Sequence, residues 1–281
     1  MRYKNIVYKL LRRLEKPIRL APNKHYPQRH FTILITAYNN AAYVIPMLQS
    51  VINQDYSNAT IIYIDDCSTD GSFIQAKEFL ENHTQFKSKL IQNKQRVGKL
   101  ANLYTALHDV PDSTIIIELD GDDYFINNQV LTTFNTYYQT TQAWIIHANY
   151  INHPAPLAQQ LNLGHFAQQT PFVVQKYRLY RKFPWIYSGL RSYYAALFKR
   201  IKKEDLIYNQ EFLQFFHDGA MFYPMLEMAG SHVSYIEQPM LLRNIDSPLN
   251  DFKKQPTDLK NIRDYVHSRT MYDQLTDLKG V

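Results

Sequence analysis

Asp120, Asp122 and Asp123 crowd around Gly121 at the end of an apolar run, Ile115-Ile116-Ile117-Glu118-Leu119. Carboxylates this close repel one another unless a cation or a hydrogen-bonding ligand compensates them. A hard divalent ion with a phosphate on its far side does so well. Mg²⁺ or Mn²⁺ takes one or two carboxylates and completes its shell with phosphate oxygens and water. The competing reading is a solvated acidic turn, because short strings of the DxD type are common. Further polar stations follow the same habit. Asp65-Asp66-Cys67-Ser68-Thr69-Asp70-Gly71-Ser72 ends one apolar run, Arg96-Val97-Gly98-Lys99 opens a helix, and His217-Asp218 precedes the apolar stretch Met221, Phe222, Met225, Leu226, Met228. A carboxylate at the first turn of a helix is stabilised and oriented by the exposed N–H groups there, which suits Asp218 either as a reactive base or as a simple cap.

The elements that must carry these groups can be read from periodicity. Phe31 to Thr36 is a buried strand, followed by a helix from about Ala42 to Gln54. A strand at Thr60 to Ile64 leads to a helix at Ser72 to Asn82, with N-caps expected from the Ser, Thr and Asp just before it. A weaker strand lies near Leu90-Ile91, a helix reaches His108, and a strand at 114–119 delivers the acid cluster, with Gly121 allowing the turn. This β-α-β-α-β-α-β order specifies an α/β fold with a parallel, doubly wound sheet, whose ligand crevice collects the C-terminal strand ends. Beyond it come a helix from Val130 to about Thr140, a strand at Trp144 to Ala148, a loop over 152–172, and a charged helical tail over 258–278.

Composition removes several classes. One cysteine, Cys67, permits neither a disulfide framework nor a cysteine zinc site, and favours a reducing, cytoplasmic compartment. The formal charge of +6 is uneven: residues 1–30 carry nine Lys and Arg against Glu15 alone, so the remainder is slightly acidic and offers no general nucleic-acid surface. In this leader Val7, Leu10, Leu11 and Leu14 share a helical face until Pro17. It reads as a basic amphipathic helix, either lying through residues 1–20 on an anionic membrane or docked on a protein surface. No apolar run reaches the length needed to span a bilayer, and the leader lacks a signal's apolar core. The 22 tyrosines and 15 phenylalanines pack a core or line a sugar-binding cleft.

Together, Ile33-Leu34-Ile35-Thr36-Ala37-Tyr38-Asn39, Ile64-Asp65-Asp66-Cys67-Ser68-Thr69-Asp70-Gly71-Ser72, Gly98-Lys99 with Ala101, and Leu119-Asp120-Gly121-Asp122-Asp123 resemble the successive signatures of family 2 glycosyltransferases with the GT-A fold. The likeness is close over residues 31 to about 125 and looser to about 245. It implies a nucleotide-sugar donor, a divalent metal (Mn²⁺ or Mg²⁺), and inversion at the anomeric carbon. It places Thr36, Ala37 and Tyr38 against base and ribose, Asp66 on the base, Lys99 near the nucleotide, Asp120 on the ribose or the metal, and Asp122 on the metal. Asp123 is less defined, and Asp65 holds the turn. A carboxylate acceptor on the base suits the imide N–H of uracil or thymine, which cytosine lacks, so UDP is the expected nucleotide. Asp218 occupies the place of the base that deprotonates the acceptor hydroxyl, with His217 where the family often has an acid. Lys99 could equally be an exposed lysine at a helix start, and His217 is expected to pack.

The chain carries no Gln-x-x-Arg-Trp motif of the processive members, which implies transfer of a single sugar. Arg191, Tyr193, Tyr194 and nearby aromatics are expected to receive the acceptor glycan or glycolipid. The domain plan is a leader (1–30), a GT-A domain (31–245) with a nucleotide-sugar half (31–125) and an acceptor half (126–245), and a helical tail (246–281). The expected role is metal-dependent transfer to a cell-surface polysaccharide precursor at the cytosolic face of a membrane. The alternative is a catalytically silent nucleotide-sugar-binding module. A sugar-phosphate nucleotidylyltransferase would need a glycine-rich loop after the first strand, and Ala37-Tyr38-Asn39-Asn40 has no glycine.

Overall fold

The computed structural model describes residues 26–164, 167–249, 253 and 256–278. The basic amphipathic helix expected around Val7 to Leu14 lies outside them. The first half alternates as the periodicity predicts: β1 (Phe31–Ala37), α1 (Ala41–Ile52), β2 (Ala59–Asp65), α2 (Ser72–Asn82), β3 (Lys87–Gln92), α3 (Lys99–His108) and β4 (Ile115–Asp120). β1 is parallel to both β2 and β4, and β3 is parallel to β2. In this register Thr36 lies beside Asp120 and Ala37 beside Asp65, so three strands stop at one edge with their polar residues together. The apolar interiors of these strands explain the burial: Ile33, Ile35, Ile61, Ile116 and Ile117 are fully inaccessible, as a parallel sheet covered on both faces requires.

The second half departs from the simple pattern. β5 (Tyr124–Phe125), α4 (Val130–Thr141) and β6 (Ile145–His153) are followed by short helices α5 (Ala155–Gln160) and α6 (Phe172–Lys176), β7 (Arg191–Tyr194) and α7 (Ala195–Lys199). Then come a small hairpin of β8 (Ile207–Tyr208) and β9 (Glu211–Phe212), α8 (His217–Ala229), β10 (Val233–Asn244) and α9 (Leu259–Ser268). The main sheet runs β3-β2-β1-β4-β7-β6-β10-β5. β7 is wedged antiparallel between β4 and β6, while β6 and β10 pair in parallel. The result is a mostly parallel, mixed sheet with flanking helices.

Three local expectations are corrected. The stretch 152–172 is not all loop, since α5 lies within it. The start of α2 has Gly71 in the left-handed region at its cap and no capping side chain. Asp70 instead accepts the N–H of Ser72 at 3.0 Å and, across the turn, the N–H of Ala41 at 2.8 Å. Gly121 is required by space more than by backbone freedom: a Cβ there would meet Asn40 Nδ2 at 2.5 Å and the Ala37 Cβ at 2.8 Å.

The tail after α9 is anchored to α8. Glu227, 1 % exposed, receives Arg181 in a two-pronged pair (Nε to Oε1 2.6 Å, Nη2 to Oε2 3.0 Å) and the N–H of Tyr272 at 3.1 Å. Breaking a buried pair leaves one charge without compensation. Glu227→Gln is therefore expected to cost about 3 kcal/mol in urea denaturation. A loss below about 1 kcal/mol would show that the pair does not hold the tail.

Candidate active site

One cleft of about 300 Å³ opens at the polar strand edge, lined by Thr36, Ala37, Tyr38, Asp66, Lys99, Asp120, Asp122 and Asp218 among others. The eight residues expected on the donor, the metal and the acceptor's proton all reach it. Their environments differ, and the differences separate their chemistry.

At the cleft's β1–β2 end, Tyr38 lies under the Arg96 guanidinium, 4.0 Å from ring centroid to Cζ. Asp66, 5 % exposed, accepts Val97 N–H at 3.0 Å and Asn93 Nδ2 at 2.8 Å on one oxygen, and Gly98 N–H at 2.8 Å on the other. Burial by itself would raise this carboxyl. The converging amides outweigh it and hold Asp66 below the usual range, so it is an ionised acceptor. Asp65 is fully buried and accepts Ser68 N–H at 2.9 Å, the turn-holding part expected of it.

In the centre, Asp120 receives Lys99 Nζ at 2.5 Å, and the same nitrogen lies 3.0 Å from Glu118 Oε1. Lys99 is thus no exposed helix-start lysine. Burial works against its charge, but Asp120, Glu118 and Asp218 more than restore it, so the amine stays protonated. Asp122 has no such cation. Burial first, then the neighbouring Asp120 charge, push it up to about 6, against a smaller pull from the Ser247 hydroxyl. Asp123 also borders the cleft, but it is buried and accepts Asn244 N–H at 2.7 Å, and burial with two adjacent carboxylates drives it well above the ordinary value. It ties β10 to the acid loop.

Asp218 stands at the first turn of α8, whose entry residue Phe216 is left-handed (φ 53°). Gly219 makes this entry possible, because a Cβ there would strike the Phe216 ring at 2.6 Å. Asp218 Oδ1 lies 2.8 Å from Arg191 Nη1 and 3.4 Å from His217 Nε2. Burial opposes its charge, yet Arg191, His217 and Lys99 hold the carboxyl far below the usual range. His217 is buried, as expected, but also lines the cleft.

The acceptor role given to Tyr193 and Tyr194 is corrected. β7 is an interior strand, and the two rings are 0 % and 9 % exposed. Arg191 does line the cleft, but as the buried partner of Glu118 and Asp218. The sequence reading also passed over Glu118 and Arg96. A lone acid inside an otherwise apolar strand was the available signal for the first; nothing in spacing marked the second.

Among the described residues, no three His, Cys, Asp or Glu side chains converge as a ready-made metal site. That donor set fits a hard ion that takes one or two carboxylates and draws its other ligands from phosphate and water. Asp122, half-buried beside Asp120 and raised by burial and that neighbour's charge, is suited to such an ion.

The model of Glycosyl transferase family 2 matches residues 32–201. The chain belongs to this family. Among curated relatives, the putative glycosyltransferase EpsE of Bacillus subtilis is 33% identical over 93 residues, 33% of this chain and 32% of EpsE. The poly(ribitol-phosphate) beta-N-acetylglucosaminyltransferase TarS of Staphylococcus aureus is 32% identical over 104 residues, 36% of this chain and 17% of TarS. The matched parts are thus a third or less of these relatives. Solved structures share the fold at lower identity. TarS in complex with UDP-GlcNAc superposes with a TM-score of 0.59 at 17% identity, covering 83% of this chain and 64% of that one. The Pyrobaculum calidifontis mannosyltransferase PcManGT, with GDP-Man and Mn²⁺, gives 0.59 at 19%, covering 93% and 68%. This family 2 chain therefore has the GT-A type of α/β fold expected from its sequence. No helix among the described residues is long and apolar enough to cross a membrane.

Proposed function

We propose that this family 2 member is a metal-dependent, inverting glycosyltransferase that moves one sugar from a nucleotide-sugar to an acceptor hydroxyl. UDP is the preferred nucleotide, and the acceptor is a glycan or lipid-linked precursor of a cell-surface polysaccharide. One observation carries the reading: an anionic centre (Asp120, Asp122), a fixed acceptor carboxylate (Asp66) and a helix-start carboxylate (Asp218) line a single cleft at the strand ends. UDP-GlcNAc bound to TarS supports UDP, and GDP-Man with Mn²⁺ bound to PcManGT supports the metal.

The residues divide the work as follows. Asp66, an ionised acceptor held in place by Val97, Gly98 and Asn93, would take the imide N–H of uracil. Thr36, Ala37 and Tyr38 bound the base and ribose. Lys99 steadies Asp120 and adds positive charge beside the leaving diphosphate. Asp122, with Asp120, would hold a divalent ion, which when bound offsets the charge developing on the diphosphate. Asp218 accepts the acceptor's proton. Its pairing with Arg191 makes it a weak base in the resting site, so the proton moves late, when bond formation to the anomeric carbon has made the hydroxyl strongly acidic. Residues 31–125 serve the donor and 126–245 the acceptor, and the basic leader 1–30 places the enzyme on the cytosolic face of a membrane; the tail expected to be helical over 258–278 is helical only at α9 (Leu259–Ser268) among its described residues.

A thermal-shift screen of UDP-, GDP- and dTDP-sugars with and without Mn²⁺ tests the reading, because a ligand that binds only the native state raises its stability. A UDP-sugar with Mn²⁺ is expected to give the largest rise. No rise with any donor would overturn the proposal, and binding without UDP release would favour the silent module.

Proton linkage gives a second measurement. The Asp122 value is raised from 3.8 to about 6, so the ligand-free protein loses stability from this group as pH climbs through that window. A cation needs the ionised form, so protons compete with it below about pH 6. The Mn²⁺–UDP dissociation constant is expected to weaken by up to tenfold from about pH 6 to about pH 5 in calorimetric titrations. An unchanged constant would remove Asp122 from the metal site.

A further inference from the structure

Glu118 has no part in the steps above, yet it is a buried acid that meets two cations just behind the cleft lining. It is 5 % exposed, between Ile117 and Leu119. Strand alternation puts Glu118 and Asp120 on one face of β4, and the antiparallel register sets Arg191 of β7 opposite Glu118. Its Oε1 lies 3.0 Å from Lys99 Nζ and 3.1 Å from Arg191 Nη2, and its Oε2 lies 3.4 Å from the Tyr193 hydroxyl. Each of the two cations has a second carboxylate partner that lines the cleft: Asp120 for Lys99 at 2.5 Å, and Asp218 for Arg191 at 2.8 Å.

A buried carboxylate in a strand that would pack better with an apolar residue is tolerated only when its partners compensate it. Here the compensation runs both ways. Two cations that share one oxygen are close enough to repel, and the Glu118 charge between them removes that repulsion and fixes their spacing. We propose that Glu118 is a positioning residue of the transfer site, holding Arg191 so that Asp218 stays aimed into the cleft. The inference rests on the glycosyltransferase reading for its consequence in turnover, and on geometry alone for its consequence at Arg191.

The test is a double-mutant cycle of Glu118→Gln, Arg191→Gln and the pair. It is read as UDP release from a UDP-sugar per donor-binding site, with Mn²⁺ present. An amide at 118 can take one cation on its oxygen but turns a donor toward the other. Glu118→Gln is expected to lower the rate per site by about tenfold while the UDP dissociation constant changes by less than about threefold. Because Glu118 acts through Arg191, the double variant is expected to be no slower than Arg191→Gln alone. Losses that multiply, or a Glu118→Gln rate per site equal to wild type, would overturn the proposal.

Should Glu118→Gln fail to fold, Glu118→Asp takes its place in the cycle. It keeps the charge while drawing it back by one methylene. Nitrogen-detected NMR of the Arg191 guanidinium supplies a readout independent of turnover. Separate, slowly exchanging Nη signals are expected in the wild type and averaged signals in the Glu118 variant; an unchanged spectrum would also overturn the proposal. If the wild type bound no nucleotide-sugar of the UDP, GDP or dTDP series, the glycosyltransferase reading would fail, and the spectrum would still decide the placement of Arg191.

Discussion

Asp122→Asn is expected to abolish Mn²⁺-dependent UDP release from a UDP-sugar, by about a thousandfold or more, while leaving the protein folded. The reason is local. Asp120 is already committed to Lys99 at 2.5 Å, whereas for Asp122 burial and the Asp120 charge outweigh the weaker pull of Lys99 and raise it to about 6. Removing that charge relieves the ligand-free protein, so its melting temperature in the absence of metal should stay level or rise at neutral pH. Loss of activity with preserved stability separates a ligand role from a structural one. Turnover within about tenfold of wild type at saturating Mn²⁺ would sink the assignment. Asp123→Ala should behave oppositely, damaging the fold, because it removes the oxygen that accepts the Asn244 N–H at 2.7 Å and leaves that buried donor unpaired.

The second large effect is at the base. Asp218→Asn is expected to reduce turnover by roughly a hundredfold to ten-thousandfold, the usual worth of a positioned general base. Donor affinity should change little, since the proposed mechanism puts Asp218 on the acceptor's proton and leaves the nucleobase to Asp66. Stopped assays with a UDP-sugar and titrations with UDP separate the two quantities. A variant that keeps its turnover but loses UDP affinity would return Asp218 to the rank of a helix cap. Linkage gives the stability side of the same change. The folded carboxyl is depressed by Arg191, His217 and Lys99, so its contribution is present above the ordinary carboxylate range and lost as pH falls toward the folded value.

Local order made much of the site legible. The alternation of apolar strand and amphipathic helix from Phe31 to Asp120 predicted seven elements in order, and in α2 both ends agree with the structure. The reason is that a parallel sheet buried on both faces leaves a near-continuous apolar run in each strand and a polar stop at its end. Asp66, Lys99, Asp120 and Asp122 sit at or just beyond such stops, so their arrival in one cleft follows from topology. The second half obeyed weaker signals. β7 is only four residues long, Arg191–Tyr194, and its aromatic pair reads equally as an exposed sugar platform or as a buried strand; only pairing with β4 and β6 on both sides decided for burial.

What the amino-acid order determined by itself is the doubly wound first half, its crevice, and the residues delivered to it, because strand ends and helix starts are local properties of the chain. What the tertiary structure decided is the state of those residues. Asp120 and Asp122 are near neighbours in sequence, yet one is neutralised by Lys99 and the other is not. Glu118 becomes the hub of two cations only because β7 brings Arg191 beside β4. Charge compensation depends on distances across the fold between residues far apart along the chain, and no spacing within the sequence encodes those distances.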